Sequence, residues 1–182
     1  TTGLRAMSRL WTTEPHGAPI YSLAFNQTHA SHLSLFATVG ANRINIYRLE
    51  ENDGQPPATH TVPVASSSSI RLEALQAYVD EDPAELFYCC IWGVHERTAH
   101  ALLAVAGKMG TIRVLDCHRG HVHTVLQGHG GAVHELCFHP CQHALLFSAS
   151  ADGSVRLWHI LARDCVAVFA GHEVKITPHS ER

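Results

Sequence analysis

The sequence predicts an all-β protein built from repeats of one four-stranded unit. Short apolar, β-branched and aromatic runs alternate with breaks rich in Gly, Asn and Asp, which is typical of strands joined by tight turns. Trp158 lies 43 residues after Leu115, and Gly171-His172 lies 43 residues after Gly128-His129. A period of about 40–45 residues with four strands and a Gly-His pair is the signature of a β-propeller blade. We therefore expect about three blades.

Each unit contains three clear strands and a further apolar run that we take as the fourth. The first three strands are expected at 20–25, 35–40 and 44–47, at 87–92, 102–107 and 112–115, and at 133–138, 145–150 and 155–158. The fourth strands are expected at 72–79, 121–126 and 165–169. Runs such as 112–114 and 155–157 alternate apolar and charged residues with the period of two that a strand with one exposed face requires.

One long insertion separates the first unit from the second. The interval from Tyr47 to Leu115 is 68 residues, and the excess falls within 50–69, which contains Pro56-Pro57 and the serine run 66–69. This composition predicts a flexible, solvated loop inside one domain rather than a linker between domains.

The domain boundaries follow from where the blade pattern starts and stops. We expect an N-terminal tail at 1–15, a partial propeller at 16–174 and a divergent C-terminal tail at 175–182, where apolar alternation ceases. Three blades leave sheet edges and apolar faces exposed, so we expect an incomplete ring and a fragment of a longer protein.

Composition and charge exclude several classes of protein. Of 182 residues, 46% are hydrophobic, so a packed core is expected, and a net charge of −3 argues against a protein that mainly grips nucleic acid phosphates. There is no run of 18 apolar residues, so no membrane-spanning helix is expected. Several of the six cysteines lie in apolar strand-like runs, which favours reduced thiols in the cytosol or nucleus.

The third unit carries four residues at the positions where WD-repeat proteins place a structural tetrad. They are His129, Ser148, Asp152 and Trp158. We expect a buried hydrogen-bond chain in which the carboxylate orients the imidazole, the imidazole reaches the hydroxyl, and the hydroxyl reaches the indole N–H. The second unit has Leu115 in place of the tryptophan and the first has Tyr47, so neither is expected to form this chain.

Two other interpretations of the polar residues are a zinc site and a Ser-His-Asp catalytic site. Zinc is suggested by one dense patch, namely His134, Cys137, His139, Cys141 and His143. No second pair of ligands accompanies it, and strand alternation splits these side chains between two faces. Ser-His-Asp catalysis lacks the strand–Gly-x-Ser-x-Gly–helix turn. We therefore predict no enzyme, no catalytic residue, no metal and no cofactor, and keep a zinc-dependent enzyme as the alternative from another class.

Two tyrosines occupy one equivalent position in different blades. Tyr21 and Tyr88 are each the second residue of the first strand of their unit, and that strand lines the central channel of a propeller. Clustered aromatic faces attract quaternary ammonium groups through cation–π contacts. Alternatively, both rings fill the strand end with the hydroxyl toward water. Their position alone favours the second interpretation.

Particular stretches of the sequence resemble the EED / extra sex combs family, including its plant FIE members, over about 17–174. The stretches are Pro19-Ile20-Tyr21, Phe25-Asn26, Phe36-Ala37-Thr38-Val39-Gly40-Ala41-Asn42-Arg43, Gln76-Ala77-Tyr78-Val79-Asp80-Glu81-Asp82, Phe87-Tyr88, Leu103-Ala104-Val105-Ala106-Gly107 and Gly128-His129-Gly130. The resemblance is more specific than a generic WD repeat because it includes the two blades that lack the tetrad. It covers the N-terminal part of the family's seven-bladed propeller.

The resemblance implies a nuclear, non-catalytic scaffold subunit of Polycomb repressive complex 2. Such a subunit holds the Enhancer-of-zeste histone methyltransferase through a helix on one propeller face. Its other face binds trimethyl-lysine of the histone H3 tail in an aromatic cage and stimulates the methyltransferase. Tyr21 and Tyr88 match two cage positions, and His134 matches a polar position of the pocket where Asn is usual. Other Polycomb subunits are the expected partners, with no direct nucleic acid or membrane contact. The competing hypothesis is a general WD-repeat adaptor of another complex.

Overall fold

The computed structural model describes residues 17–29, 32–52 and 69–171. These residues form twelve β-strands in three antiparallel four-stranded sheets, and they contain no α-helix. Strands that are consecutive in sequence are neighbours in each sheet. The predicted all-β fold of three four-stranded blades is confirmed. The predicted tails at 1–15 and 175–182 and most of the predicted loop lie outside the described residues.

The strands follow the repeat. Blade 1 contains β1 (Ile20–Phe25), β2 (Leu35–Gly40), β3 (Arg43–Asn52) and β4 (Ser69–Val79). Blade 2 contains β5 (Phe87–Val94), β6 (Ala101–Gly107), β7 (Ile112–Asp116) and β8 (His121–Leu126). Blade 3 contains β9 (Val133–Phe138), β10 (Leu145–Ser150), β11 (Ser154–His159) and β12 (Asp164–Ala170).

The boundaries expected for the flexible loop at 50–69 are wrong at both ends. Strand β3 continues to Asn52 and β4 begins at Ser69, because their backbones pair through Glu50↔Arg71, Glu51↔Ile70 and Asn52↔Ser69. The charged residues at the end of β3 suggested a loop. An outer hairpin can carry charged strand residues, and the side chain of Glu50 is exposed. Arg48 illustrates this, with a guanidinium nitrogen 3.6 Å from a carboxylate oxygen of Glu73 on the partner strand.

The middle blade is buried on both faces, and its second strand shows why. All of β6 is buried. Leu102 and Ala104 pack in the core shared with blade 3, whereas Leu103 and Val105 pack in the core shared with blade 1. Because successive side chains of a strand point to opposite faces, a continuous apolar run serves two cores at once.

The outer faces of the first and last blades are uncovered. Leu23 of β1 is 54% exposed, and Val166 and Val168 of β12 are 57% and 51% exposed. Alternation along β12 therefore leaves an apolar row on the surface. Blades 1 and 3 each bury one face only, against blade 2.

The first strands of the three blades lie side by side and define the inner edge of the fold. Strand β5 contacts β1 on one side and β9 on the other. A hydrogen bond crosses between blades here, because Trp92 Nε1 donates to the Ala24 carbonyl oxygen at 2.9 Å. The N-terminal ends of these strands meet at one end of the channel, which we call the upper mouth, and their C-terminal ends meet at the other, the lower mouth.

Candidate functional site

Three ring side chains meet at the upper mouth. The ring centres of Tyr21 and Tyr88 are 5.2 Å apart, with the planes at 80°, an edge-to-face contact. The ring of His134 stacks on the other side of Tyr88, with centres 5.6 Å apart and planes within 5° of parallel. The structure therefore brings together all three residues that the sequence placed at this register. Tyr21 remains 51% exposed, so the cluster is open to solvent.

A shared backbone irregularity directs these three side chains. Pairing of β1 with β2 skips Tyr21, pairing of β5 with β6 skips Tyr88, and pairing of β9 with β10 skips His134. Each residue is therefore the extra residue of a β-bulge. A bulge bends its strand and redirects the side chain, and bulges are frequent beside binding sites. Sequence reasoning found the common register but not the bulge, which single-strand alternation does not signal.

The phenol of Tyr88 is uncharged near neutral pH. Burial raises its pKa most, and the neighbouring Tyr21 and Glu85 raise it further. A neutral phenol presents the electron-rich face that attracts cations. Chemically, two such rings at right angles can contact a bulky cation such as a quaternary ammonium group.

A buried ion cluster that sequence reasoning missed lies behind Tyr88. The side chain of Glu85 is fully buried and that of Asp80 is 3% exposed, and Arg113 binds both. The guanidinium donates to Glu85 Oε2 at 3.1 Å and to Asp80 Oδ1 at 2.9 Å, and it lies 5.6 Å from the ring centre of Phe87. Blade 2 lacks the tetrad, and this cluster joins its β7 strand to the end of blade 1.

Blade 3 contains the hydrogen-bond chain expected of a tetrad. Trp158 Nε1 donates to Ser148 Oγ at 2.8 Å, and Ser148 Oγ lies 2.7 Å from His129 Nε2. His129 Nδ1 lies 2.8 Å from Asp152 Oδ2. We assign the Nδ1–H tautomer to His129, because the serine hydroxyl then donates to Nε2 and every member of the chain is satisfied.

The electrostatics of this chain keep the histidine neutral and the aspartate charged. Burial lowers the pKa of His129, and the partial compensation by Asp152 does not reverse this. Burial alone raises the pKa of Asp152, but hydrogen bonds from Ser154, His129 and the Gly130 N–H together lower it. Both shifts favour the protonation states that the assigned tautomer requires.

The same atoms resemble a Ser-His-Asp catalytic arrangement, yet the geometry is unsuited to nucleophilic attack. Ser148 is 1% exposed, so a substrate has no approach to its hydroxyl oxygen. That oxygen also already accepts the indole N–H of Trp158. The chain therefore stabilises packing between the strands of blade 3.

The His- and Cys-rich patch of blade 3 is dispersed. His134 stacks on Tyr88 at the upper mouth, whereas His139 lies at the far end of β9, where its Nδ1 accepts the backbone N–H groups of Cys141 and Gln142. Among residues 17–29, 32–52 and 69–171, no three His, Cys, Asp or Glu side chains are arranged to hold a metal ion. That part of the chain also lacks any helix long and apolar enough to span a bilayer.

A second recess lies at the lower mouth. Its walls are mainly apolar and include Phe25, Ile91, Trp92, Phe138, Pro140 and His143. Gly93 leaves room for the Phe138 ring, because a Cβ atom at position 93 would lie 2.5 Å from it and would force the ring to move. The channel therefore presents an aromatic cluster at one end and an apolar recess at the other.

Comparisons with known sequences find a WD-domain family model and Polycomb proteins. The family model described as "Leucine-rich repeat and WD repeat-containing protein 1, WD domain" matches residues 78–173. Polycomb protein esc of Musca domestica is 40% identical over 161 residues, which covers 88% of this chain and 34% of that protein. Polycomb group protein FIE2 of Zea mays is 37% identical over 153 residues, covering 84% of this chain and 36% of that protein.

Solved structures show the same fold. The crystal structure of the Chaetomium thermophilum polycomb repressive complex 2 matches with a TM-score of 0.72 and 22% identity, over 94% of this chain and 35% of that chain. The structure of the RRP9 WD40 repeats matches with a TM-score of 0.64 and 16% identity, over 89% of this chain and 42% of that chain. At these identities the likeness shows a WD-repeat fold. The chain spans about a third of the length of the curated relatives it matches.

Proposed function

This chain belongs to the WD-repeat proteins, in the family of the Polycomb proteins esc and FIE, and we propose that it serves a Polycomb repressive complex 2-type histone H3 methyltransferase as a non-catalytic subunit. Its proposed task is to bind trimethyl-lysine of the histone H3 tail and to hold the catalytic subunit. Both activities are proposed for the whole protein, because this chain spans about a third of the length of the relatives it matches.

The observation that carries the proposal is the trio of bulged residues at the upper mouth. Tyr21 and Tyr88 stand edge to face, and His134 lies flat against Tyr88. Cation–π contacts are worth about 0.5–2 kcal/mol for each ring, the larger values applying where water is excluded. A trimethylammonium group has no N–H to donate but keeps its positive charge, so contact with aromatic faces replaces the hydrogen bonds of an unmodified lysine.

The reader activity is tested by the affinity of the protein, isolated from its native source, for H3 peptides with and without trimethyl-lysine. We expect the trimethylated peptide to bind more tightly by about tenfold, because an unmodified ammonium group carries the same charge but must give up strongly held water to contact the rings. Tyr88→Ala should abolish the difference, whereas Tyr88→Phe, which retains the ring, should preserve most of it. Equal affinities of the wild-type protein for both peptides would refute this activity.

The lower recess supports the proposed scaffold role. Its apolar walls suit the apolar face of an amphipathic helix, and an anchored helix leaves the upper mouth free. Phe25 is 45% exposed at its rim. We expect Phe25→Ser to reduce the amount of methyltransferase that copurifies, and Val166→Ser, at an exposed apolar position on β12 away from the recess, to leave it unchanged. Copurification of a different complex without a methyltransferase would support the general adaptor instead.

We further propose that the protein carries no catalytic centre and acts in the nucleus. The absence of a catalytic centre is supported by the burial of Ser148. Ser148, His129 and Asp152 are the described residues that most resemble a catalytic triad, and a substrate cannot reach the serine hydroxyl. Imaging of a tag placed at the native gene tests the nuclear location. A signal restricted to the cytoplasm would refute it.

A further inference from the structure

Two arginines occupy equivalent positions in blades 2 and 3. Arg113 and Arg156 each lie in the third strand of their blade, 43 residues apart. Each guanidinium lies over an aromatic ring, 5.6 Å from the ring centre of Phe87 for Arg113 and 5.9 Å from the ring centre of Trp158 for Arg156. The repeat therefore places the same cation twice in a similar setting.

The counter-charges of Arg113 come from the segment that connects blade 1 to blade 2. Asp80 and Glu85 lie in this segment, and the guanidinium donates to Asp80 Oδ1 at 2.9 Å and to Glu85 Oε2 at 3.1 Å. The corresponding segment between blades 2 and 3, residues 127–132, contains no acidic residue.

A glycine takes the place of a carboxylate beside Arg156. A Cβ atom at position 128 would lie 2.7 Å from Arg156 Nη1, so Gly128 lets the guanidinium lie directly against the connecting segment. Asp152, the acidic residue of the tetrad in this blade, binds other groups. Its Oδ2 lies 2.8 Å from His129 Nδ1, and its Oδ1 accepts the hydroxyl of Ser154 at 2.6 Å.

The guanidinium of Arg156 therefore lacks a counter-ion. It forms no hydrogen bond or ion pair within the part of the chain that the structure describes, and its Nε is buried. Arginine stays protonated at every physiological pH. A partly buried charge without a partner destabilises the folded state, and native proteins normally pair such charges.

The site is open to solvent on one side. Arg156 pairs with Ser148 of β10 on its inner side and with Val168 of β12 on its outer side. Ser148 is buried, whereas Val168 is 51% exposed. A ligand can therefore approach the guanidinium from the outer rim of the blade. A carboxylate suits it best, because its two oxygens can accept two parallel N–H groups of one guanidinium.

We propose that Arg156 forms a binding site for a carboxylate ligand at the outer rim of the junction between blades 2 and 3. The ligand takes the place that Asp80 and Glu85 fill beside Arg113. A polypeptide with acidic side chains and a small dicarboxylate share this chemistry. The site lies on the third strand of blade 3 rather than in the channel, so it does not depend on the proposed methyl-lysine activity.

The first test measures the unfolding midpoint of the intact protein in increasing sodium glutarate, with sodium chloride holding the ionic strength constant. We expect the midpoint of the wild-type protein to rise, because the ligand binds the folded state alone. Arg156→Gln should bind glutarate about tenfold more weakly or worse, since it loses hydrogen bonds between charged groups. The matched control is Arg119→Gln, whose arginine is 58% exposed between β7 and β8 and which should respond as wild type.

Two blocked peptides distinguish the sources of the carboxylate by calorimetric titration. One has the sequence of residues 80–86, which supplies both carboxylates to Arg113, and the other carries Asn and Gln in place of Asp80 and Glu85. Tighter binding of the acidic peptide than of glutarate, lost in Arg156→Gln, supports a polypeptide ligand. Equal binding of the two supports a small dicarboxylate.

A further measurement needs no substitution of Arg156. Hydrogen bonding to a carboxylate should move the Nε–H proton resonance of Arg156 downfield in NMR spectra recorded with glutarate, whereas that of Arg119 should not move. An Arg156 resonance that stays in place at saturating glutarate would overturn the proposal.

Other results would also contradict a carboxylate site. An equal rise of the midpoint in wild type and Arg156→Gln would show that glutarate acts elsewhere. Inorganic phosphate that binds at Arg156 while glutarate and both peptides do not would show that the assigned chemistry is wrong. If Arg156→Gln does not fold, Arg156→Lys replaces it, because it keeps the charge but not the planar pair of donors and should still bind more weakly.

Discussion

Removal of the Ser148 hydroxyl should destabilise the protein by about 2–6 kcal/mol. In the native state this oxygen accepts from Trp158 Nε1 at 2.8 Å and lies 2.7 Å from His129 Nε2. Trp158 is 2% exposed and the His129 side chain is fully buried, so neither finds water when the hydroxyl is lost. Each unpaired buried polar group costs about 1–3 kcal/mol, and Ser148→Ala leaves two.

Thr124 offers a matched control, because it is 3% exposed and its hydroxyl has no hydrogen-bond partner. Thr124→Val removes a buried hydroxyl of similar environment without orphaning any other group. We expect a change between zero and about 1 kcal/mol of stabilisation, since an unsatisfied polar atom is replaced by a methyl group. Urea unfolding followed by tryptophan fluorescence measures both variants. A cost below about 1 kcal/mol for Ser148→Ala, or equal costs for the two variants, would refute the reasoning.

Three further predictions concern the ion cluster, pH and the cysteines. Arg113→Leu should lower the free energy of unfolding, measured in urea, by about 3–5 kcal/mol, because the buried carboxylates of Asp80 and Glu85 lose their cation. Changing both carboxylates to neutral amides in the same protein should restore much of that free energy, and no recovery would contradict this. Burial lowers the pKa of His129 below the unfolded value of about 6.5, so its contribution to stability is full above that pH and is lost as the pH falls toward the folded pKa. His129→Asn should remove this loss of stability at low pH. A variant whose unfolding midpoint keeps the wild-type pH profile would count against this prediction. Burial raises the pKa of Cys90 to about 11 and of Cys117 to about 12, so iodoacetamide near pH 8 should spare both and alkylate the exposed Cys141, as read by peptide mass spectrometry; labelling of all three at one rate in the native protein would contradict this.

The fold was predictable from sequence because its signals are local and repeated. The 43-residue spacing between Leu115 and Trp158 gives the period of the blades, and the runs between them have strand length and alternation. The four tetrad residues of blade 3 were identifiable for the same reason, since their spacing recurs in a large fold family. The register shared by Tyr21 and Tyr88 also followed from the repeat.

The remaining features depend on contacts that the linear sequence does not display. The cluster around Arg113 joins residues 28 and 33 positions away, across the boundary between two blades. The sequence does contain one indication of this cluster, because a blade that lacks the tetrad needs other polar partners for its buried turn. The bulges at the upper mouth are likewise a property of pairing between strands, so alternation within one strand does not reveal them.

The extra length of β3 was missed for a related reason. Its last residues include Glu50 and Glu51, which look like loop residues when taken alone. Their strand conformation follows from pairing with Arg71 and Ile70 across an insertion whose length hides the register. Outer strands of a blade tolerate charge because one side of them faces solvent, so polarity is a weak guide there.

The central claim is that the rings of Tyr21 and Tyr88 bind the positive charge of a methylated lysine rather than merely its methyl groups. The most direct test compares the trimethyl-lysine peptide with a peptide whose side chain ends in a tert-butyl group, in which carbon replaces nitrogen and the shape is unchanged without charge. We predict that the cationic peptide binds more tightly by about fivefold or more, as two cation–π contacts of about 0.5 kcal/mol or greater each require. Equal affinity for the two peptides would show that the mouth recognises apolar bulk alone and would contradict the account.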